Sequence, residues 1–174
     1  PDTVTPAHTT VAATGTAAPE LSEGEYEVWF GAQDNLDQLN TTEPITVVYD
    51  MADPTAKLEV STDNAAPYNY SVVGELYVKT GFKVKVSGSD TNGVTDIKLQ
   101  LKKDDPAVTT WTDKGHTPIN PAESLAEGTY DVAFAAGQEG AYTLRAIVTD
   151  KAGKQAVATC SVIYDTKEPS LTVP

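Results

Sequence analysis

Tyr49-Asp50-Met51-Ala52-Asp53-Pro54 returns in the same chain as Tyr164-Asp165-Thr166-Lys167-Glu168-Pro169, about 115 residues on. The likeness runs past both ends of the stretch. Val47-Val48 answers Val162-Ile163 on the upstream side, and Ala56 and Leu58 take the places of Leu171 and Val173 downstream. Each copy has one form: an alternating apolar run, an acidic hinge, a proline, then the start of another alternating run. Alternation marks a strand with one face buried, and a proline suits a linker or a strand's first residue. The stretch therefore reads as the last strand of one β-domain, a short linker, and the first strand of the next.

Working outward, Tyr26 to Asp50 matches Tyr142 to Asp165 as strand, Asp-bearing turn, strand and hinge. A rival register aligns Leu21-Ser-Glu-Gly-Glu-Tyr26 with Leu125-Ala-Glu-Gly-Thr-Tyr130; the first needs only one gap through to the hinge. Residues 1–50 are expected to be the C-terminal half of a domain, 51–165 a complete domain, and 166–174 a linker or the start of the next repeat. A unit of roughly 115 residues can bury its own core.

Within the complete unit the expected inward-facing runs are Ala56, Leu58 and Val60; Phe82, Val84 and Val86; Ile97, Leu99 and Leu101; Tyr130, Val132 and Phe134; Tyr142, Leu144, Ala146 and Val148; and Ala158, Cys160, Val162 and Tyr164. Gly88 to Gly93 and Thr149 to Lys154 read as turns, and Gly115 to Pro121 as a loop. In the first unit Tyr26, Val28, Phe30 and Ala32 share one face and Trp29 the other. Residues 1–20, with Val4, His8 and Val11, read as a loop or loosely held edge strand. Apolar residues at helical spacing over three turns are absent. About seven short strands separated by turn signals predict an all-β, antiparallel sandwich.

The charge of -13 and pI near 4.3 argue against nucleic acid or an anionic membrane as partner and are compatible with divalent cations. No apolar run approaches the length needed to insert in a bilayer. One methionine, two histidines (His8, His116) and one cysteine leave little for redox, thiolate or imidazole chemistry. Cys160 has no partner for an internal disulfide and reads as a small buried apolar residue. No signal peptide is visible, and the chain reads as an excerpt from a longer protein. Nucleophile elbow, zinc spacing and phosphate loop are all missing, so an enzyme is not expected. Trp29 and Trp111 are candidate sugar platforms, though packing at a sheet edge explains each more simply. Asn40-Thr-Thr and Asn69-Tyr-Ser match the glycosylation pattern without further support.

Four motifs in order (Leu-x-Glu-Gly-x-Tyr before a strand, Ser89-Asp-x-x-Gly-Val94, Thr149-Asp-x-Ala-Gly-Lys154, and Tyr-Asp-x-x-x-Pro between units) resemble bacterial immunoglobulin-like repeats over nearly all of residues 21–174. The resemblance implies an immunoglobulin-like sandwich repeated in tandem and joined by short acidic, proline-bearing linkers. It implies a stalk or spacer module of a bacterial surface or secreted adhesin, with neighbouring repeats as partners and an unknown host or surface ligand at a distal tip. A carbohydrate- or protein-binding module, or spacer domains of a secreted hydrolase, are the other functions it allows.

An immunoglobulin-like topology would bring Asp90 and Asp150, in their turns, to the pole where Asp50 and Asp53 enter. Two unit charges about 5 Å apart repel by roughly 3 kcal/mol at an effective dielectric near 20. Such a cluster must spread into water, be spent on capping its own turns, or be neutralised. Calcium, which takes oxygen ligands alone, is the cation the resemblance implies at this junction. The residues by themselves leave all three states open.

Overall fold

The computed structural model describes residues 21–63 and 65–171. Residues 1–20, including Val4, His8 and Val11, lie outside the described residues. The chain divides into two compact units, residues 1–49 and 50–174. All regular structure among the described residues is β, and no helix is long and apolar enough to cross a membrane.

In the first unit β1 (Gly24–Val28) pairs antiparallel with β4 (Ile45–Tyr49), and β2 (Gly31–Gln33) with β3 (Leu39–Thr41). The single strand expected through Tyr26 and Ala32 is therefore two, parted at Trp29 and Phe30. Its faces hold at Tyr26, half-buried, and Glu27, exposed, but reverse beyond: Trp29 is half-buried, whereas Val28 is exposed and Phe30 is 71% exposed. Two-stranded ribbons bury little by themselves, so alternation in this unit does not mark a core face. Asp34 organises the β2–β3 turn, its Oδ1 accepting from the amides of Leu36 and Gln38 at 2.8 and 2.9 Å.

The second unit is one curled, mixed sheet. Its strands are β5 (Thr55–Ser61), β6 (Glu75–Val78), β7 (Phe82–Lys103), β8 (Thr112–Val132), β9 (Gly140–Asp150) and β10 (Gln155–Tyr164). They run in the order β5-β7-β9-β10-β6, with β8 also on β7. The first half of β7 pairs with β5 and with the end of β8; its second half pairs with β9 and with the start of β8. β7 and β8 thus bend together and wrap the sheet around one core. The layers approach closely at Gly88, where a Cβ would fall 2.4 Å from Val148 on β9.

The alternating runs of this unit supply that core. Val84, Val86, Val94, Ile97, Leu99, Leu144, Ala146, Val148 and Val162 are fully enclosed, with Leu58, Val60, Tyr130, Val132 and Tyr142 around them. Cys160 is buried among them as a free thiol.

Three expectations need correction. The Gly88–Gly93 stretch does not end a strand: β7 continues through it, with register shifts between Ser89, Val94 and Asp96. The Asp90 side chain ties the amides of Asn92 and Gly93 into a bulge, which bends a strand instead of reversing it. Gly115 to Pro121 is not a loop but belongs to β8, with Gly115 opposite Leu99 and Pro118 opposite Asp96. Among the described residues β8 pairs with β7 alone, so a proline's missing N–H costs its ladder little. The pairing is also not wholly antiparallel, since β6 runs parallel to β10, Glu75 opposite Ser161 through Val78 opposite Tyr164.

The ends of β4 and β10 share a local design. Gly24 pairs with Tyr49 and Tyr26 with Val47; Gly140 pairs with Tyr164 and Tyr142 with Val162. Both glycines have positive φ, +155° and +140°. The hydroxyl of Tyr26 donates to the Ser22 carbonyl and that of Tyr142 to the Gln138 carbonyl, each four residues upstream. After each strand an aspartate folds back on the hinge, Asp50 Oδ1 accepting from the Ala52 amide at 3.0 Å and Asp165 Oδ1 from the Lys167 amide at 2.9 Å.

A candidate cation site at the pole of the second unit

Three of the four aspartates singled out in the sequence come together. Asp50 enters ahead of β5, Asp90 sits in the β7 bulge, and Asp150 ends β9. One carboxylate oxygen from each lies within 4.8 Å of the others. The side chains of Asp50 and Asp150 are 0% exposed. Asp53 stays exposed and outside the trio. It follows the Asp50 turn on the hinge, and its charge reaches the site only at a distance, through Lys154.

Each aspartate uses one oxygen to shape its own backbone. Asp90 Oδ1 accepts from Asn92 and Gly93 N–H at 2.7 and 3.1 Å, and Asp150 Oδ1 from Lys154 N–H at 2.8 Å. Such side-chain-to-amide bonds are why Asp recurs in turns. The turn and the bulge are joined as well: Lys151 N–H donates to the Gly93 carbonyl at 2.9 Å, and the Thr95 hydroxyl to the Asp150 carbonyl at 2.8 Å. The carboxylates are therefore placed by backbone that is itself fastened.

The remaining oxygens are what the turns do not explain. Asp50 Oδ2 and Asp150 Oδ2 are buried without a hydrogen-bond partner, and so is Asn92 Nδ2. Native proteins leave few such atoms. Facing them is a residue that the sequence reading passed over, Lys154. Its Nζ donates to Asp50 Oδ1 at 2.9 Å and to the Ala52 carbonyl, and stands 3.9 Å from Asp150 Oδ2. The hydrogen bond from Lys154 holds the Asp50 carboxyl below its ordinary 3.8, overcoming the opposing effect of burial. On the lysine, desolvation is the largest single influence and pulls its pKa down. The bond to Asp50 and the charges of Asp50, Asp150 and Asp53 together outweigh it, and the ammonium ends above its ordinary 10.5. A lysine four residues after Asp150, across a Gly-bearing turn, was the available signal.

Turn capping is thus present, and so is an internal cation. Yet one ammonium serves the trio, bonding Asp50 and standing 3.9 Å from Asp150, and both Oδ2 atoms are left without a hydrogen bond. The donor set is oxygen only, with the Ala52 carbonyl beside it, and this is the chemistry of a hard divalent ion. The residues fit such an ion on one condition: Lys154 occupies Asp50 Oδ1 and must leave.

Three other candidates, His116, Trp111 and Asn69, are spent on local contacts. His116, on β8, is exposed and stands 2.5 Å from Asp96. Arg145 stacks on the Trp111 ring at 3.8 Å with Lys102 at 5.2 Å, so that face of the ring is covered. Asn69 bonds Asp63 through both its backbone and its side-chain nitrogen.

Fold and site together define an all-β protein whose curled mixed sheet carries a buried acidic trio at one pole. No family model matches the chain, and no curated protein matches it. Among solved structures it is similar to the PmoD soluble domain from Methylocystis sp. (Rockwell), at 13% identity over 67% of this chain and 95% of that one, with a TM-score of 0.35.

Proposed function

We propose that this chain is a structural spacer from a bacterial surface or secreted protein, made of immunoglobulin-like β-sandwich units in tandem. Its role is mechanical: each unit is a strut, and the acidic hinge holds successive struts in line. One observation carries the reading, the same closing hairpin at the end of each unit. Register, positive-φ glycine, tyrosine hydroxyl to the carbonyl four residues back, and hinge aspartate all recur in the same relative positions. These four shared features support reading the two hairpins as copies of one design. The hinge aspartate Asp50 supports the mechanical part, since Lys154 holds it at the pole of the second unit.

The trio Asp50, Asp90 and Asp150 is read here as a divalent-cation site, with calcium as the ion its oxygen donors suit. A bound ion would neutralise the unanswered oxygens and add stiffness at the hinge. This role needs no catalysis.

Backbone NMR relaxation of the full chain in calcium tests the strut. Residues of 21–49 and of 50–171 should report one rotational correlation time and one alignment tensor. Two independently tumbling bodies, with and without calcium, would sink the proposal.

A further inference from the structure

Lys154 is seated where an ion would need to be. Its ammonium uses Asp50 Oδ1 and the Ala52 carbonyl, two oxygens a hard cation would want, and satisfies Asp150 only at 3.9 Å. The exposures of the partners are unequal: both aspartate side chains are 0% exposed, whereas that of Lys154 is 26% exposed. The carboxylates cannot leave the site, but the lysine can. Its head is strongly hydrated in water and its four-carbon stem is flexible, so water offsets part of what it loses on leaving. Asn92 offers a further donor. Its buried Nδ2 makes no hydrogen bond within normal limits, yet its side chain faces Asp50 and helps hold that carboxyl down; rotating the amide would turn Oδ1 toward the position Nδ2 now holds, giving a fourth oxygen donor.

We infer that Lys154 is a tethered competitor for the cation: a divalent ion binds Asp50, Asp90 and Asp150 by displacing the ammonium into solvent. The lysine therefore sets the ion concentration at which the site fills. Without an ion it keeps the hinge pinned; with one, the ion takes over the hinge and the lysine swings free. The inference rests on the cation reading above and adds its regulation. If Lys154 is seated more than nine-tenths of the time, the competent fraction is below one-tenth and affinity is lowered about tenfold or more.

Calcium titration of the full chain by calorimetry tests this, comparing wild type with Lys154→Met, which keeps a similar stem without the charge. The variant should bind roughly tenfold or more tightly. Adding Asp90→Asn, which removes a carboxylate that Lys154 does not hydrogen-bond, should weaken binding again. Equal affinity in wild type and Lys154→Met overturns the competition and leaves the cation site standing. Calcium binding by neither chain overturns the cation site and the competition with it. Should Lys154→Met fail to fold, acetylation of the wild-type chain decides. Labelling of Lys154 relative to Lys167 should rise several-fold on saturation with calcium, and an unchanged ratio overturns the displacement.

Discussion

Tyr130 shows how much of this fold a single side chain can settle. Its ring lies against two glycines, and a Cβ on Gly115 would fall 1.9 Å from the ring's Cδ1. Its hydroxyl meets the Thr117 hydroxyl at 2.8 Å and the Ile97 carbonyl at 3.3 Å, joining β8 to β7 across the bend. Tyr130→Phe keeps the ring and removes the bonds, so it should cost about 1 kcal/mol. Gly115→Ala displaces the ring itself and should cost more, about 1–3 kcal/mol. Urea titration of both variants gives the order, and a Gly115→Ala chain as stable as wild type would contradict the packing. The Asp50–Lys154 pair has a different signature, in pH. Asp50 is depressed below 3.8, so its contribution is present above the unfolded value and is lost as pH falls through the folded one. Lys154 is raised above 10.5, so its contribution is present below the unfolded value and is lost as pH rises through the folded one. The pair's stabilisation should be flat from about pH 5 to pH 9. In melts without calcium, wild type and Asp50→Asn should begin to converge as pH falls below about 4 and meet once it is below the folded value. Divergence there would mean that Asp50 acts through something other than its charge.

Among the elements, the β7 bulge bears most of the architecture. Gly93 takes φ +106°, a backbone region that side chains rarely enter, and a Cβ there would lie 2.9 Å from Ala122. Its N–H is held by Asp90 and its carbonyl by Lys151, so fold and site share this residue. Gly93→Ala should therefore lower stability by about 1–3 kcal/mol and weaken calcium binding in the same protein. Thermal melts and titration read the two effects, and loss of one without the other would uncouple bulge from site. This bulge also marks where the sequence could be read and where it could not. Phe82, Val84 and Val86, then Ile97, Leu99 and Leu101, alternate cleanly, and their burial was legible from period alone. The Gly88–Gly93 composition suits a turn or a bulge equally, because Asp and Gly serve both. Only the partners of β7 on either side decide between them. Gly115 to Pro121 misled for a similar reason, since Pro and Gly break interior strands but are tolerated at an edge. Asp50, Asp90 and Asp150 are expected together because their turns read as sharing one pole; they do meet, although Asp90 lies in a bulge within β7 and not in a turn. Lys154 is harder to find, because a lysine in a turn ordinarily faces water; what turns this one inward is Asp50, from a distant part of the chain, together with Asp150 four residues back.

For the whole molecule, what matters is where the enclosed apolar residues lie in the chain. Among the described residues every buried member of the core falls between Leu58 and Tyr164, whereas the first unit leaves Phe30, Leu39 and Ile45 largely exposed. A fold whose core is drawn from one continuous stretch should not need the other stretch to form. Asp50 also falls within residues 50–174, so that stretch keeps its hinge aspartate, the trio and Lys154. Residues 50–174 produced alone should then unfold cooperatively, with a midpoint within about 4 °C of the same transition in the full chain, the shift that about 1 kcal/mol produces at this size. Circular dichroism melts of the two chains make the comparison, and their calcium affinities should agree as well. If the shorter chain loses its cooperative transition, residues 1–49 belong to the same folding unit. The hairpin at Tyr49 would then be an internal corner of one domain, and the spacer proposal would lose the repetition on which it rests.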